Sequence, residues 1–135
     1  MNRPPHVIEA EVYALRTDEG GRRNPLLTGY RPSHNFGKNG HLNDGLHEYP
    51  SGGRIELGAS GVAYIWLLAP DENYGLLSIG DPFTVQEGNR IVGRGRITAL
   101  PNAKLQKQPA DNSPEAMPGQ RPPARPSSSS GAPQL

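Results

Sequence analysis

The chain contains no cysteine. Disulfide staples and thiolate metal sites are therefore excluded, and a reducing compartment is permitted. No apolar run reaches the roughly 18–20 residues that a membrane-spanning helix needs, and the opening MNRPPHVIEA lacks the apolar core of a signal peptide. A cytoplasmic protein with no membrane partner is expected. An excess of one charge is missing too: 14 Lys and Arg stand against 13 Asp and Glu, a net charge of +1. Bulk charge thus gives no reason to invoke nucleic acid. Apolar residues make up only 33% of the 135, while 17 glycines and 15 prolines are present. Such a composition borders on that of chains that do not fold.

The average hides an uneven distribution. From Pro101 onward eight of 35 residues are proline, and Ser127 to Ser130 is a serine run. This part has too little to bury to offset the entropy of ordering. Residues 101–135 are expected to be a disordered Pro/Ser-rich tail, and residues 5–100 the folded domain.

Within that domain the patterns are those of short strands. VIEAEVYALR alternates, with Ile8, Ala10, Val12 and Ala14 on one face and Glu9, Glu11 and Tyr13 on the other. DEGGRRNP reads as a loop. GYRPSHNF is strand-like, with Pro32 suited to an edge or a bulge because it cannot donate a ladder hydrogen bond. Residues 37–53 are rich in Gly, Asn and His and read as a long loop. GRIEL is a short strand, and GVAYIWLLAP, apolar on both faces, a central one. DPFTVQEGNRIVGRGRIT reads as a hairpin turning at Glu87-Gly88-Asn89. Gly93 and Gly95 share a face with Ile91 and Ile97, as at a sharp bend or close approach in a small barrel. No segment has a helical period. An all-β fold is expected, a small antiparallel barrel of five or six strands.

Two of these segments carry a resemblance. IEAEVYALRTDEGGRRNPLLTGYRP resembles the opening of the third, C-terminal domain of elongation factor Tu, which runs F-E-A-E-V-Y, then D/E-E-G-G-R, a proline, two apolar residues and G-Y-R-P. FTVQEGNRIVGRGRIT resembles that domain's closing hairpin, F-A-I-R-E-G-G-R-T-V-G-A-G-V-V. The motifs are separate, in the right order, and together span about residues 5–100. Residues 33–53 match poorly. The resemblance implies a six-stranded antiparallel barrel. In the whole factor this domain does no chemistry: it packs on the GTPase domain and the second barrel, touches the T-stem backbone of tRNA, and helps bind the nucleotide-exchange factor. The chain has no G-x-x-x-x-G-K-[ST] phosphate loop, so it resembles the barrel alone.

Carried over residue by residue, the resemblance implies an RNA surface. Arg22, with Arg23 beside it, stands where T-stem phosphates approach. Gly88 corresponds to a backbone contact on the closing hairpin, and Ser33 replaces a glutamine that faces the RNA. His34-Asn35-Phe36 stands at an aromatic F-Y-F run. Arg90, Arg94 and Arg96 fall on one face of the last strand by alternation, and the family has small or apolar residues at the last two. They form either a solvated basic stripe or a face that has lost a neighbouring domain.

Plainer readings stand beside these. Arg22 and Arg23 could pair with Asp18 or Glu19 in a solvated loop, a contribution of about 0–1 kcal/mol. Tyr30 would pack, and Arg31 would pair with Glu9 or Glu11. His34, His41, His47 and Glu48 lie close enough in sequence to test for zinc, but the spacings are wide and exposed loop histidines are expected, with no metal. No nucleophile elbow or acid–base constellation is present. No enzymatic activity, cofactor or small-molecule substrate is expected. Two functions remain: a protein-interaction module, binding a partner that recognises elongation factor Tu-like barrels, or a weak tRNA or RNA stem-backbone binder.

Overall fold

The computed structural model describes residues 4–108. Their core is a closed six-stranded antiparallel barrel. In chain order the strands are β1 (Ile8–Ala14), β2 (Leu26–Leu27), β3 (Ser33–Asn35), β4 (Asn43–Glu48), β5 (Arg54–Ile55), β6 (Ser60–Leu67), β7 (Pro82–Glu87) and β8 (Arg90–Ala99). The barrel closes in the order β1-β6-β4-β3-β7-β8, and β2 pairs with β5 in a separate two-stranded ribbon. Three short 3-10 turns, at Thr17–Glu19, Pro70–Asn73 and Ala103–Leu105, complete the structure. No helix among the described residues is long and apolar enough to cross a membrane.

The alternation in β1 places its residues as expected: Ile8, Ala10, Val12 and Ala14 are buried, and Glu11 is exposed. The interior is filled by Ile8, Val12, Ile65, Phe83, Val85, Val92 and Ile97. Pro32 lies just before β3, where no ladder donor is missed, and its carbonyl accepts from the Gly45 amide. β6 is not the middle of an open sheet. It is one stave of the barrel, with Ala63, Ile65 and Leu67 buried and Val62 and Leu68 exposed, so its second apolar face lies on the outside.

Three expectations are corrected. Residues 37–53 contain a barrel strand, β4, which pairs with β3 and β6. Its inward residues Asn43, Gly45 and His47 are polar or small, so it lacks the apolar alternation that marks a strand. Second, β8 carries a bulge: Gln86 pairs with Ile91 but Val85 with Gly93, leaving Val92 as the extra residue. The bulge turns Ile91 outward, away from the face shared by Gly93, Gly95 and Ile97, and puts Arg90 out of phase with Arg94 and Arg96. Third, the folded unit runs past residue 100. Leu105 is fully buried, and Gln106 bridges to Leu77. The tail from residue 109 lies outside the described residues.

Candidate functional site around the closing turn

The Asp18–Pro32 stretch folds as two devices. The first is a sharp loop. Glu19 and Gly20 donate to the carbonyls of Arg16 and Thr17, and Gly20 takes φ +94°. Gly21 packs so closely that a Cβ there would lie 2.2 Å from the Leu15 carbonyl oxygen. The paired glycines are thus required by the chain's own backbone. The second device ties this loop to the β7–β8 turn. Arg90 Nε donates to the Gly20 carbonyl at 3.0 Å, and its Nη2 donates to the Gly21 carbonyl. Arg22 reaches the same turn, with Nε 3.2 Å from Glu87 Oε2.

Arg22 is held on two sides. Its guanidinium lies over the Tyr30 ring, 4.7 Å from the centroid, and the Tyr30 hydroxyl donates to the same Glu87 oxygen. Burial and the Glu87 carboxylate raise the Tyr30 phenol well above its usual range. Tyr30 therefore stays protonated and keeps donating. The partner of Arg22 is Glu87, and neither Asp18 nor Glu19 pairs with it; those acids serve Arg16 instead. The closing hairpin supplies the carboxylate, 65 residues away in sequence, which local reading could not see.

The residues implied by the resemblance do gather here in part. Ser33 pairs in register with Gln86, and the Gln86 side-chain amide donates to the Gly88 carbonyl at 3.0 Å. Arg22, Ser33 and Gly88 are thus all linked to the end of β7. Ser33 is not a free donor, because its hydroxyl is given to Asp44. Arg23 and Arg31 are exposed, and neither forms an ion pair among the described residues, so the pairing of Arg31 with Glu9 or Glu11 is not found. Tyr30 does pack against the core.

Beside Arg22 a groove of about 480 Å³ is lined by Asn24, Pro25, Leu27, Tyr30 and Arg54. Leu27 is 52% exposed. Arg94 and Arg96 flank a second hollow of about 450 Å³ over Phe36 and Phe83. The Arg96 guanidinium donates to the Gly80 carbonyl at 2.7 Å. Both cavities combine cations with apolar floors.

The histidine grouping considered for zinc separates. His41 is exposed, whereas His34 and His47 are wholly buried inside the barrel, contrary to the expectation of loop histidines. Their Nε2 atoms are 2.7 Å apart. Among the described residues no group of three His, Cys, Asp or Glu side chains could hold a metal. His34 Nδ1 donates to the Asn43 carbonyl at 2.7 Å, and His47 Nδ1 is 2.8 Å from the Tyr49 hydroxyl. The period-two placement of Asn43, Gly45, His47 and Tyr49 was the available signal for this inward row.

No family model matches the chain.

Proposed function

We propose that this chain is a non-catalytic binding module of the translation-elongation-factor type, a barrel resembling the third domain of elongation factor Tu that contacts another protein through the groove beside Arg22. The observation that carries this reading is the state of Arg22. Its charge is balanced by Glu87 and its face is covered by Tyr30, so little of it is left for a phosphate. An arginine clamped flat beside an exposed leucine has the make-up of a protein-interface anchor, where Arg and aromatic groups sit around a desolvated apolar contact. The sequence agrees, since it has no phosphate loop.

A tRNA or RNA stem-backbone contact is the second reading. It is favoured by Arg23 and Arg94, both exposed and without an ion pair among the described residues. Two such contacts give weak, salt-dependent and sequence-blind binding.

Affinity capture from a cell lysate, with and without RNase, separates the two. Under the protein reading one protein is retained regardless of RNase, and Leu27→Asp weakens its binding about tenfold, the loss of one anchor worth about 1.4 kcal/mol. Arg23→Glu then has little effect. Recovery of RNA at low salt, lost at high salt and in Arg23→Glu, would replace the first reading by the second.

A further inference from the structure

The barrel wall parts where β3 stops. β3 and β7 pair as far as Asn35 and Thr84, while β7 and β8 continue together to Pro82 and Arg96. Phe83 and Pro82 therefore have no partner on β3. Gly37, at φ +72°, turns the chain away, and its amide donates to Asn35 Oδ1 at 2.9 Å. At this parting lies the hollow of about 450 Å³ over Phe36 and Phe83. Its floor is already packed. The two rings are 5.2 Å apart between centroids, and His34 stacks on Phe36 at 5.7 Å.

The rim of the hollow is made of donors. Arg94 and Arg96 stand opposite Thr84 and Pro82 on the outer face, about 7 Å apart along the strand. Arg96 is anchored by its bond to the Gly80 carbonyl, and a guanidinium has further N–H groups to offer. Arg94 is exposed and forms no hydrogen bond or ion pair among the described residues. The Asn35 amide uses its oxygen on Gly37, and its NH2 has no acceptor among the described residues. No carboxylate lines the hollow. Asp81, next to Pro82, is held by the Ser78 amide and by Lys38. Glu11, the register partner of Arg96 on β1, is outside the lining.

We propose that this hollow is a binding site for a small aromatic carboxylate. The ligand's ring lies over Phe36, Phe83 and Pro82. Its carboxylate takes the Arg94 guanidinium, with Arg96 and the Asn35 NH2 as further donors. A guanidinium grips a carboxylate by two parallel, charge-assisted hydrogen bonds. The volume falls within the range of about 300–1,000 Å³ that small-molecule sites occupy. Two arginines repel a cation. A bare phosphate leaves the apolar floor wet, and a neutral aromatic leaves the guanidinium of Arg94 without a counter-charge. An apolar body carrying one anion meets both demands. The hollow shares no lining residue with the groove beside Arg22, so it stands apart from the protein-interaction reading.

The test is a titration of the full chain with naphthoate, followed by amide NMR spectra. Shifts are expected at Thr84, Arg94, Gly95 and the Asn35 side-chain amide, saturating with a Kd of about 0.1–1 mM. Naphthamide, which has the same shape without the charge, should bind about tenfold more weakly. Arg94→Gln should weaken naphthoate about tenfold as well, through loss of the charge-assisted pair. Arg94 holds nothing else among the described residues, so that variant should keep the native spectrum. Leu27→Asp, in the other groove, should leave the affinity unchanged. The proposal is overturned if about 10 mM naphthoate shifts none of these residues, or if naphthamide binds equally well. Affinity unchanged in Arg94→Gln overturns it too. Inorganic phosphate that displaces naphthoate at equal concentration makes this a bare anion site, and binding lost in Leu27→Asp moves the site to the other groove; either result overturns the proposal.

Discussion

Acidification from pH 7 to pH 5 should destabilise this barrel steeply, before most carboxylates titrate. The cause is the buried pair His34 and His47. Removal from water is the largest effect on both rings and favours their neutral forms. It pushes His34 down to about 4, against smaller upward effects of the Asn43 carbonyl and the Asp44 charge. His47 is held well below the usual histidine range, by burial first and then by His34. The unfolded chain, with ordinary histidines near 6.5, binds more protons than the folded one between that value and about 4. Stability is therefore full above about pH 6.5 and is lost as pH falls, for His34 until about pH 4. His34 contributes about 1.4 kcal/mol per pH unit in that window, about 3 kcal/mol in total, and His47, depressed in the same direction, adds to the loss as pH falls.

Hydrogen-bond direction explains why His34 does not tolerate a proton. The Asn43 carbonyl can only accept, so neutral His34 carries its hydrogen on Nδ1 and accepts at Nε2. His47 must then donate from Nε2 and accept at Nδ1 from the Tyr49 hydroxyl. The row Tyr49–His47–His34–Asn43 thus has one consistent direction, with each ring nitrogen either giving or receiving a hydrogen. A proton added to His34 places two N–H groups face to face across 2.7 Å. The measurement is urea unfolding at pH 7.5, 6 and 5, with a His34→Phe/His47→Leu/Tyr49→Phe triple variant beside the native chain. Removing the Tyr49 hydroxyl together with both rings avoids leaving that buried donor orphaned, so the variant should fold with a nearly flat profile over that range. A native chain as stable at pH 5 as at pH 7.5 would refute this account.

The same histidine row shows where sequence reading stopped. β1 and the β7–β8 hairpin were legible because their inward faces are apolar and alternate, and Glu87-Gly88-Asn89 marks the turn. β4 was not legible, because the barrel lines that stave with Asn43, Gly45 and His47, whose polar side chains are satisfied by Asn39 and the His41 carbonyl for Asn43 and by His34 of β3 and Tyr49 for His47. Period-two logic detects burial through hydrophobicity, and here burial is carried by a closed hydrogen-bond row. The Val92 bulge has no local signature either; it follows from closing the barrel, and it alone removes Arg90 from the row of Arg94 and Arg96. At the candidate site, Arg22, Ser33 and Gly88 were placed on separate segments that do meet. The ties of Arg22 to Glu87 and of Ser33 to Gln86 are long-range pairings that no local window contains, whereas Gly88 is held by Gln86 two residues before it.

Replacing Gly95 should be among the most damaging single changes in the molecule. Gly95 stands directly opposite Phe83 in the β7–β8 ladder, and the phenylalanine ring lies across it. A Cβ at Gly95 would be 2.2 Å from Phe83 Cζ and 2.6 Å from both Cε atoms. The ring cannot simply swing away. It packs on Phe36 at 5.2 Å between centroids and on His34 at 5.9 Å, and Phe83 is only 4% exposed. Overpacking of a filled core costs typically about 1–3 kcal/mol and can exceed that when a large side chain is expelled. We expect Gly95→Ala to lose about 3 kcal/mol and Gly95→Val about 4 kcal/mol or more. The effect should depend on the ring. Phe83→Leu removes the three colliding carbons, so in the Gly95→Ala background it should cost much less than in the native chain. The coupling is expected to be about 1–3 kcal/mol in a double-mutant cycle. Additive losses would mean that the ring is not what Gly95 accommodates, and the β-barrel's need for glycine at that position would have to lie in the backbone of β8 itself.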